Sequence, residues 1–421
     1  MTTVDNQGIR LPRVLRPLRH RDYLLLTVGL AVTLLGAGMS TVALFWQIIA
    51  MGGGPAQVSL VMTVCGLGLL ATLLPAGVAA DRLPRLWVMR VSLVAQAILL
   101  LVLGWLTVTD RVQIWHFGLA GLILGIAEGM YFPSYTALLP SLLPAEDLLS
   151  ANGTGGVLRP GLQLAAGPAL GAFVVKLWST GSAFLTQGVL MVVAVLMLSL
   201  MRTGSSKPIL DGENRGTAVA DLLEGARYMV RTSWFFATLL FANGYVLVVI
   251  GPIEVLVPFI LRDLGGGPGT QAMVLAIFGI AGAVGAITVS SLFLARRYLT
   301  VMLAMWGLGS LPLIVVGQTH SIWIIVASSV VVGATGQAAQ VIWGTLLQRR
   351  MPPEMLGRAS SLNFFVGLVM MPASYALAVP AAQLMGVAGV FVIAAVTPAV
   401  LSVIVHVAAR LGRDEIAHSL Q

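Results

Sequence analysis

Apolar residues in this chain come in long continuous blocks rather than in the narrow stripe of a surface helix. A block of about 20 residues crosses roughly 30 Å of hydrocarbon as an α-helix. The pattern predicts spans near 23–49, 57–80, 86–108, 113–136, 153–176, 182–201, 234–259, 271–295, 300–317, 321–347, 359–383 and 387–409. The first block, Tyr23 to Met51, is too long for the apolar part of a secretory signal and lacks a small-residue cleavage site at its end, so it reads as the first span. The longest connection, Thr203 to Ser233, divides the spans six and six. Expected are an N-terminal six-helix bundle over 1–202, a cytoplasmic linker over 203–233 and a C-terminal bundle over 234–421. Inside the linker Val219, Leu222, Leu223, Ala226 and Met229 recur at helical spacing among Asp221, Glu224, Arg227 and Arg231. That spacing predicts an amphipathic helix lying on the inner membrane surface.

Composition removes the soluble alternative. Of 421 residues, 58% are hydrophobic and 10% charged, against roughly 25% charged in a soluble domain. The formal charge of +8 does not imply a nucleic-acid partner, because of where it sits. Counting from an inner N-terminus, Arg10, Arg13, Arg16, Arg19, Arg21, Arg82, Arg85, Arg90, Arg296, Arg297, Arg349, Arg350, Arg358, Arg410 and Arg413 fall on one side. Arg202, Lys207, Arg215, Arg227 and Arg231, around the central connection, join them. The other side holds Arg111, Lys176 and Arg262. Basic residues concentrate in cytoplasmic loops, so both termini are expected in the cytoplasm. Cys65 is the one cysteine; in the middle of an apolar span it reads as a small buried hydrophobe. The five histidines, His20, His116, His320, His406 and His418, lack metal-ligand spacing, and no glycine-rich loop ends in Lys-Ser/Thr. Neither an enzyme nor a cofactor or metal is expected.

The two halves repeat. Gly52-Gly-Gly-Pro55 after span 1 matches Gly265-Gly-Gly-Pro268 after span 7, an offset of 265 − 52 = 213. Ala137-Leu-Leu-Pro-Ser-Leu-Leu-Pro144-Ala-Glu146 matches Thr345-Leu-Leu-Gln-Arg-Arg-Met-Pro352-Pro-Glu354, an offset of 345 − 137 = 208. A six-span unit duplicated in one orientation is a plan of secondary transporters, with the substrate site between the halves near mid-membrane.

Three motifs carry a family resemblance. Gly77-Val-Ala-Ala-Asp81-Arg82-Leu-Pro84-Arg85 resembles the loop Gly-x-x-x-Asp-Arg/Lys-x-Gly-Arg/Lys of the major facilitator superfamily, with Pro84 in place of glycine. Gly77 permits close helix approach, Asp81 suits a helix N-terminus, and Arg82 and Arg85 suit acidic partners. The resemblance implies a conformational latch formed by these four residues; the second half keeps only Arg296-Arg297, without an acid. In span 5, Gly167-Pro168-Ala-Leu-Gly171 is similar to the Gly-Pro-x-x-Gly element of drug antiporters in that superfamily, which implies export. The stretch from Gly125 to Asn152, with Phe132-Pro-Ser-Tyr-Thr-Ala-Leu-Leu-Pro140, looks like the branch of macrolide-efflux and enterobactin-exporter proteins. Many proton-coupled relatives carry a basic residue in span 4, where this chain has only an acid.

Charge inside a span costs several kcal/mol and usually faces a cavity or a partner. Glu128 in span 4, Arg159 in span 5 and Glu254 in span 7 are such positions. Glu128 shares a helical stripe with Gly121, Gly125, Phe132 and Tyr135, which suits a cavity wall. It reads as a proton carrier or cation partner, or else as half of a structural ion pair. Glu254 lies between Pro252 and Pro258, whose missing N–H groups free carbonyls to line a vestibule; a snorkelling carboxylate is the other reading. By rise per residue Arg159 reaches the depth of Glu128. The two are expected to pair or to face one water-filled cavity, and loss of Arg159 alone is expected to destabilise the fold. Gln163, Asn243, Gln337, Gln340 and Trp343 are further cavity candidates, with interhelical hydrogen bonding as the alternative use.

These readings converge on an all-α membrane protein of twelve transmembrane helices in two pseudo-symmetric six-helix bundles, the major facilitator fold. The expected activity is proton-coupled export of small amphipathic molecules from the cytoplasm across a bacterial cytoplasmic membrane, by a monomer in the lipid bilayer. A siderophore or lipid exporter, and a receptor or scaffold without transport, are the alternatives.

Overall fold

The computed structural model describes residues 13–144, 147, 151, 154, 158–202, 227–291, 296–351, 363 and 365–418; of residues 13–15, 73–82, 137 and 348 it describes the backbone alone. Eleven helices among the described residues are long and apolar enough to cross a membrane. The last of them, Phe365–Ala408, is broken at Gly386, whose φ of 77° is left-handed, and so holds two spans. The spans are α1 (Arg21–Ala50), α2 (Pro55–Arg82), α3 (Arg85–Val108), α4 (Ile114–Leu142), α5 (Arg159–Leu177), α6 (Thr180–Ser199), α7 (Ser233–Asp263), α8 (Pro268–Ser291), α9 (Tyr298–Val316), α10 (Ile322–Arg350), α11 (365–385) and α12 (387–408). A short α13, Leu411–Ala417, follows.

Each crossing reverses direction, so the start of α1 and α13 share one face, here called proximal, and the α1–α2 and α7–α8 connections share the other, called distal. The repeat persists in hydrogen-bond detail. Gly52 and Gly265 both take positive φ, 78° and 81°, a conformation that glycine adopts without steric cost. The N–H groups of Gly52 and Gly53 donate to the carbonyls of Ile49 and Ile48, and those of Gly265 and Gly266 to Arg262 and Leu261. Donors and acceptors are all offset by 213 (261 − 48, 262 − 49). The same offset relates Gly54 N–H on Gln57 Oε1 to Gly267 N–H on Thr270 Oγ1.

Small residues let the helices close. A Cβ on Gly125 would lie 2.0 Å from the Cys65 carbonyl, so α4 rides directly on α2. A Cβ on Gly167 would lie 2.8 Å from the Gly38 Cα, and one on Gly171 3.0 Å from the Met39 Cα. The Gly167-Pro168-Gly171 element is therefore the seam between α5 and α1. On the proximal face α13 is strapped down: Glu415, fully buried, accepts from the Leu299 and Thr300 N–H groups and the Thr300 hydroxyl at the start of α9. Beside it Arg350 forms a two-pronged pair with Asp414 at 2.6 and 3.2 Å.

The halves meet along α2–α11 and α5–α8. A Cβ on Gly66 would lie 2.9 Å from Pro372, and one on Gly279 3.0 Å from Leu164. Trp46 of α1 donates its indole N–H to Gln271 Oε1 of α8 at 2.8 Å, and Ser59 of α2 donates to the Tyr375 carbonyl of α11 at 2.6 Å. These contacts run from the distal ends to mid-depth, so the distal side is closed.

Candidate functional site: a charged cavity between the halves

The helix face of α4 decides what Glu128 sees. Trp115, Leu119, Leu122 and Ile126 form its exposed apolar stripe, the one that meets lipid. At about 100° per residue, Glu128 lies roughly 150° around the helix from that stripe. It is nonetheless exposed, so it opens to space inside the protein. Its electrostatic neighbours agree with this: its charge acts on Cys65 of α2, Arg159 of α5 and Tyr375 of α11.

Arg159 is also exposed. Its guanidinium sits over the Phe132 ring, 4.9 Å from the centroid, and its field reaches Glu128 and Tyr135. Among the described residues Glu128 makes no hydrogen bond and no ion pair; no Arg159 nitrogen lies within 4.0 Å of it. Of the two expected arrangements, the direct pair is absent, and the two charges act on each other over more than 4.0 Å.

Glu254 is held differently. It is partly buried, and Tyr375 donates its hydroxyl to Glu254 Oε2 at 2.7 Å. Its field also reaches Cys65, as that of Glu128 does. Both interior charge positions outside α4 fall in π-helical turns, Arg159–Ala166 in α5 and Pro252–Leu256 in α7. Such turns widen the helix by one residue and recur at functional sites. Pro160 and Pro252 lack the N–H that a regular α-helix would use, which favours the irregularity.

The other candidates separate. Tyr135 is nearly buried, 6.4 Å from Phe132 between ring centroids. Gln163 presents its carbonyl at the α1–α5 seam, where a Cβ on Gly38 would lie 2.5 Å from it. Asn243 turns its amide back to the Leu239 carbonyl at 2.8 Å. Gln337 packs against Gly282 of α8, whose added Cβ would come within 2.7 Å of its Cγ, while Gln340 is exposed. Trp343 corrects the expectation of a cavity residue: it is enclosed, stacked on Phe235 at 5.8 Å and edge-on to Trp234 at 6.1 Å. The side chains of Gly77, Asp81 and Arg82, most of the predicted linker helix and the end of the Gly125–Asn152 stretch lie outside the described residues. Arg85 opens α3 and is half-buried.

Sequence reasoning missed Tyr375, Ser374, Ser59 and Gln271. Hydroxyl and amide side chains are common in membrane helices, and nothing in their spacing singled these out.

Twelve spans built as two repeats, with Glu128, Arg159 and Glu254 inside them, have the plan of a membrane transporter. The sequence profile of the Major Facilitator Superfamily matches residues 26–374, and the chain belongs to that family. It is similar to the Macrolide efflux protein A of Enterococcus faecalis, 24% identical over 62% of this chain and 81% of that protein. It is also similar to the Multidrug efflux pump Tap of Mycobacterium tuberculosis, 27% identical over 85% of this chain and 86% of the pump. Among solved structures, a mutant of the nucleoside transporter NupG superposes with a TM-score of 0.71 at 14% identity, covering 92% of this chain and 99% of that one. A bacterial homolog of the lysosomal transporter Spinster, in an inward-facing state, gives 0.66 at 14% identity, covering 94% and 98%. At these identities the structures speak for the fold alone.

Proposed function

We propose that this transporter exports small amphipathic molecules, antibiotics and other drugs among them, in exchange for protons. The observation that carries the proposal is Glu128, a carboxylate inside a span that faces internal space with neither a hydrogen bond nor an ion pair among the described residues. A charge kept there without a structural partner is a functional feature by default, and a carboxylate can take a proton or a cationic group in turn. Phe132, one turn further along α4 and half-buried, offers apolar surface for the rest of the cargo. The names of the similar efflux proteins and the Gly167-Pro168-Gly171 seam support the export direction.

On this reading the proximal face is cytoplasmic, as its arginines suit, the membrane is a bacterial cytoplasmic membrane, and a single chain suffices. The bundles of 1–202 and 234–421 rock about the cavity, linked by 203–233, and Asp81 with Arg82 and Arg85 latches one state. Glu254 is the second proton site.

The test is purified protein in liposomes with an imposed pH gradient, offered macrolides, tetracyclines, lipophilic cations and siderophores. Gradient-dependent accumulation of a drug supports the proposal; siderophore movement alone would reassign the cargo. No movement of any compound, with intact folded protein, would leave a receptor or scaffold.

A further inference from the structure

Three hydrogen bonds converge on Ser374 and Tyr375 of α11. The Tyr375 hydroxyl donates to Glu254 at 2.7 Å. The Gly251 N–H, one residue before the π-helical turn of α7, donates to Ser374 Oγ at 2.7 Å. Ser59, on α2 in the opposite half, donates to the Tyr375 carbonyl at 2.6 Å. Ser374, Tyr375 and Ser59 are all buried. Tyr375 thus grips the acid with its side chain and the other half with its main chain, at a crossing where Gly66 already lies against Pro372.

We infer that Glu254, Tyr375 and Ser59 form an interlock that holds the distal side shut while Glu254 is ionised and no cargo is bound. Neutralising Glu254, by a proton or by a positive group on the cargo, releases it. This rests on the proposed exchange of cargo for protons, and it gives Tyr375 and Ser59 positioning roles in that exchange.

The physical basis is the difference between two hydrogen bonds. A phenol donating to a carboxylate makes a charge-assisted bond, roughly twice as strong as one between neutral groups. With Glu254 neutral, that bond weakens and α11 is freer to turn at a contact that α2 shares. The adjacent π-helical turn supplies a place for α7 to bend. The titratable groups facing Glu254 are Tyr375 from α11 and Cys65 from α2, with Glu128 of α4 reaching both of these. Among the described residues no basic group faces it, so neutralisation comes from a proton or from the cargo.

An exchanger leaks if its empty, deprotonated form reorients. A lock that is strongest in that form suppresses the wasteful step by biasing a two-state equilibrium. Ionised and empty, the carrier stays shut; loaded with either proton or cation, it can turn.

The test reads distance rather than transport. Spin labels are placed by Gly54→Cys and Gly267→Cys, on the distal connections of the two halves, in a Cys65→Ser background in lipid nanodiscs without cargo. We expect the label separation to lengthen as pH falls. Tyr375→Phe should give the long separation at every pH, losing the pH response, and Glu254→Gln should do the same. Combining them should add nothing. Ser59→Ala, which spares the carboxylate contact, should raise the long population at high pH, and it serves in place of Tyr375→Phe if that variant does not fold. A wild-type pH response in Tyr375→Phe, or in Ser59→Ala used in its place, overturns the interlock. Because no cargo is present, that result would leave the export reading standing. Equally, failure of drug movement in liposomes would not alter the distances.

Discussion

The π-helical turns of α5 and α7 solve the same problem in opposite ways. Each places a charge inside the membrane span beside a proline. Arg159 opens its turn and rests on the face of Phe132, with no carboxylate of the described residues within 4.0 Å of its guanidinium. Glu254 sits inside its turn against α11 and receives the Tyr375 hydroxyl. The contrast follows from solvation. A buried ionised group costs free energy unless a partner replaces its water, so the shielded acid has a built donor and the exposed guanidinium needs no acceptor. Glu128 belongs with Arg159: exposed, unbonded and available. One half holds chargeable groups that the cavity can reach, and the other holds one that the helix packing can sense.

The largest effect should come from the exposed side. Glu128→Gln is expected to abolish gradient-driven efflux in liposomes while retaining cargo binding, measured by equilibrium binding to the purified variant. Its thermal unfolding should match wild type, because among the described residues no hydrogen bond or ion pair is lost. Unchanged proton-coupled transport in Glu128→Gln would falsify the carrier role.

The packing side of the comparison is tested by two glycines, one in each region. A Cβ on Gly251 would lie 2.1 Å from the Ser374 carbonyl oxygen and 2.5 Å from its carbon, both main-chain atoms. Relief requires α7 and α11 to separate, and overpacking of this kind costs about 1–3 kcal/mol. Gly161, in the turn of α5, has open space where its Cβ would point. Gly161→Ala should therefore fall within about 1 kcal/mol of wild type. Melting temperatures in detergent separate the two; equal values would remove the claim that α7 is the tightly held turn.

The spans are legible because a twenty-residue apolar block has few other uses, and the duplicated connections mark the repeat in the sequence itself. Glu128, Arg159 and Glu254 are legible for the same reason in reverse, as charges where charge is costly. What is not legible depends on which face each helix turns inward. Gln337 and Trp343 stand on α10 with Gln340, yet one packs on Gly282, one stacks with Phe235 and Trp234, and only Gln340 is exposed. Helical periodicity does not separate these faces when the whole surround is apolar. Tyr375 escaped notice because its role comes from a partner 121 residues away. The π-helical turns left only Arg159-Pro160-Gly161 and Gly251-Pro252 as traces, sequences that also read as ordinary kinks.

The smallest effect concerns Arg159, and it separates action at a distance from true pairing. A guanidinium buried against Glu128 would leave an uncompensated charge when removed, at a cost of about 3–5 kcal/mol. The geometry instead gives an exposed group whose close contact is the ring of Phe132, and an exposed cation over an aromatic face is worth about 0.5–1 kcal/mol. Arg159→Ala should therefore change unfolding by no more than about 1 kcal/mol. Adding Glu128→Gln should leave that difference in place, since solvent-exposed charges couple by only about 0.2–1 kcal/mol even when paired. Arg159→Lys keeps the charge but loses the planar stacking, so it should recover little of the stability. The measurement is a double-mutant cycle on thermal unfolding, with Phe132→Leu as a third arm. A loss of several kcal/mol in Arg159→Ala, rescued by Glu128→Gln, would show that the two charges close into a pair in the membrane, and the contrast between the two turns would fail.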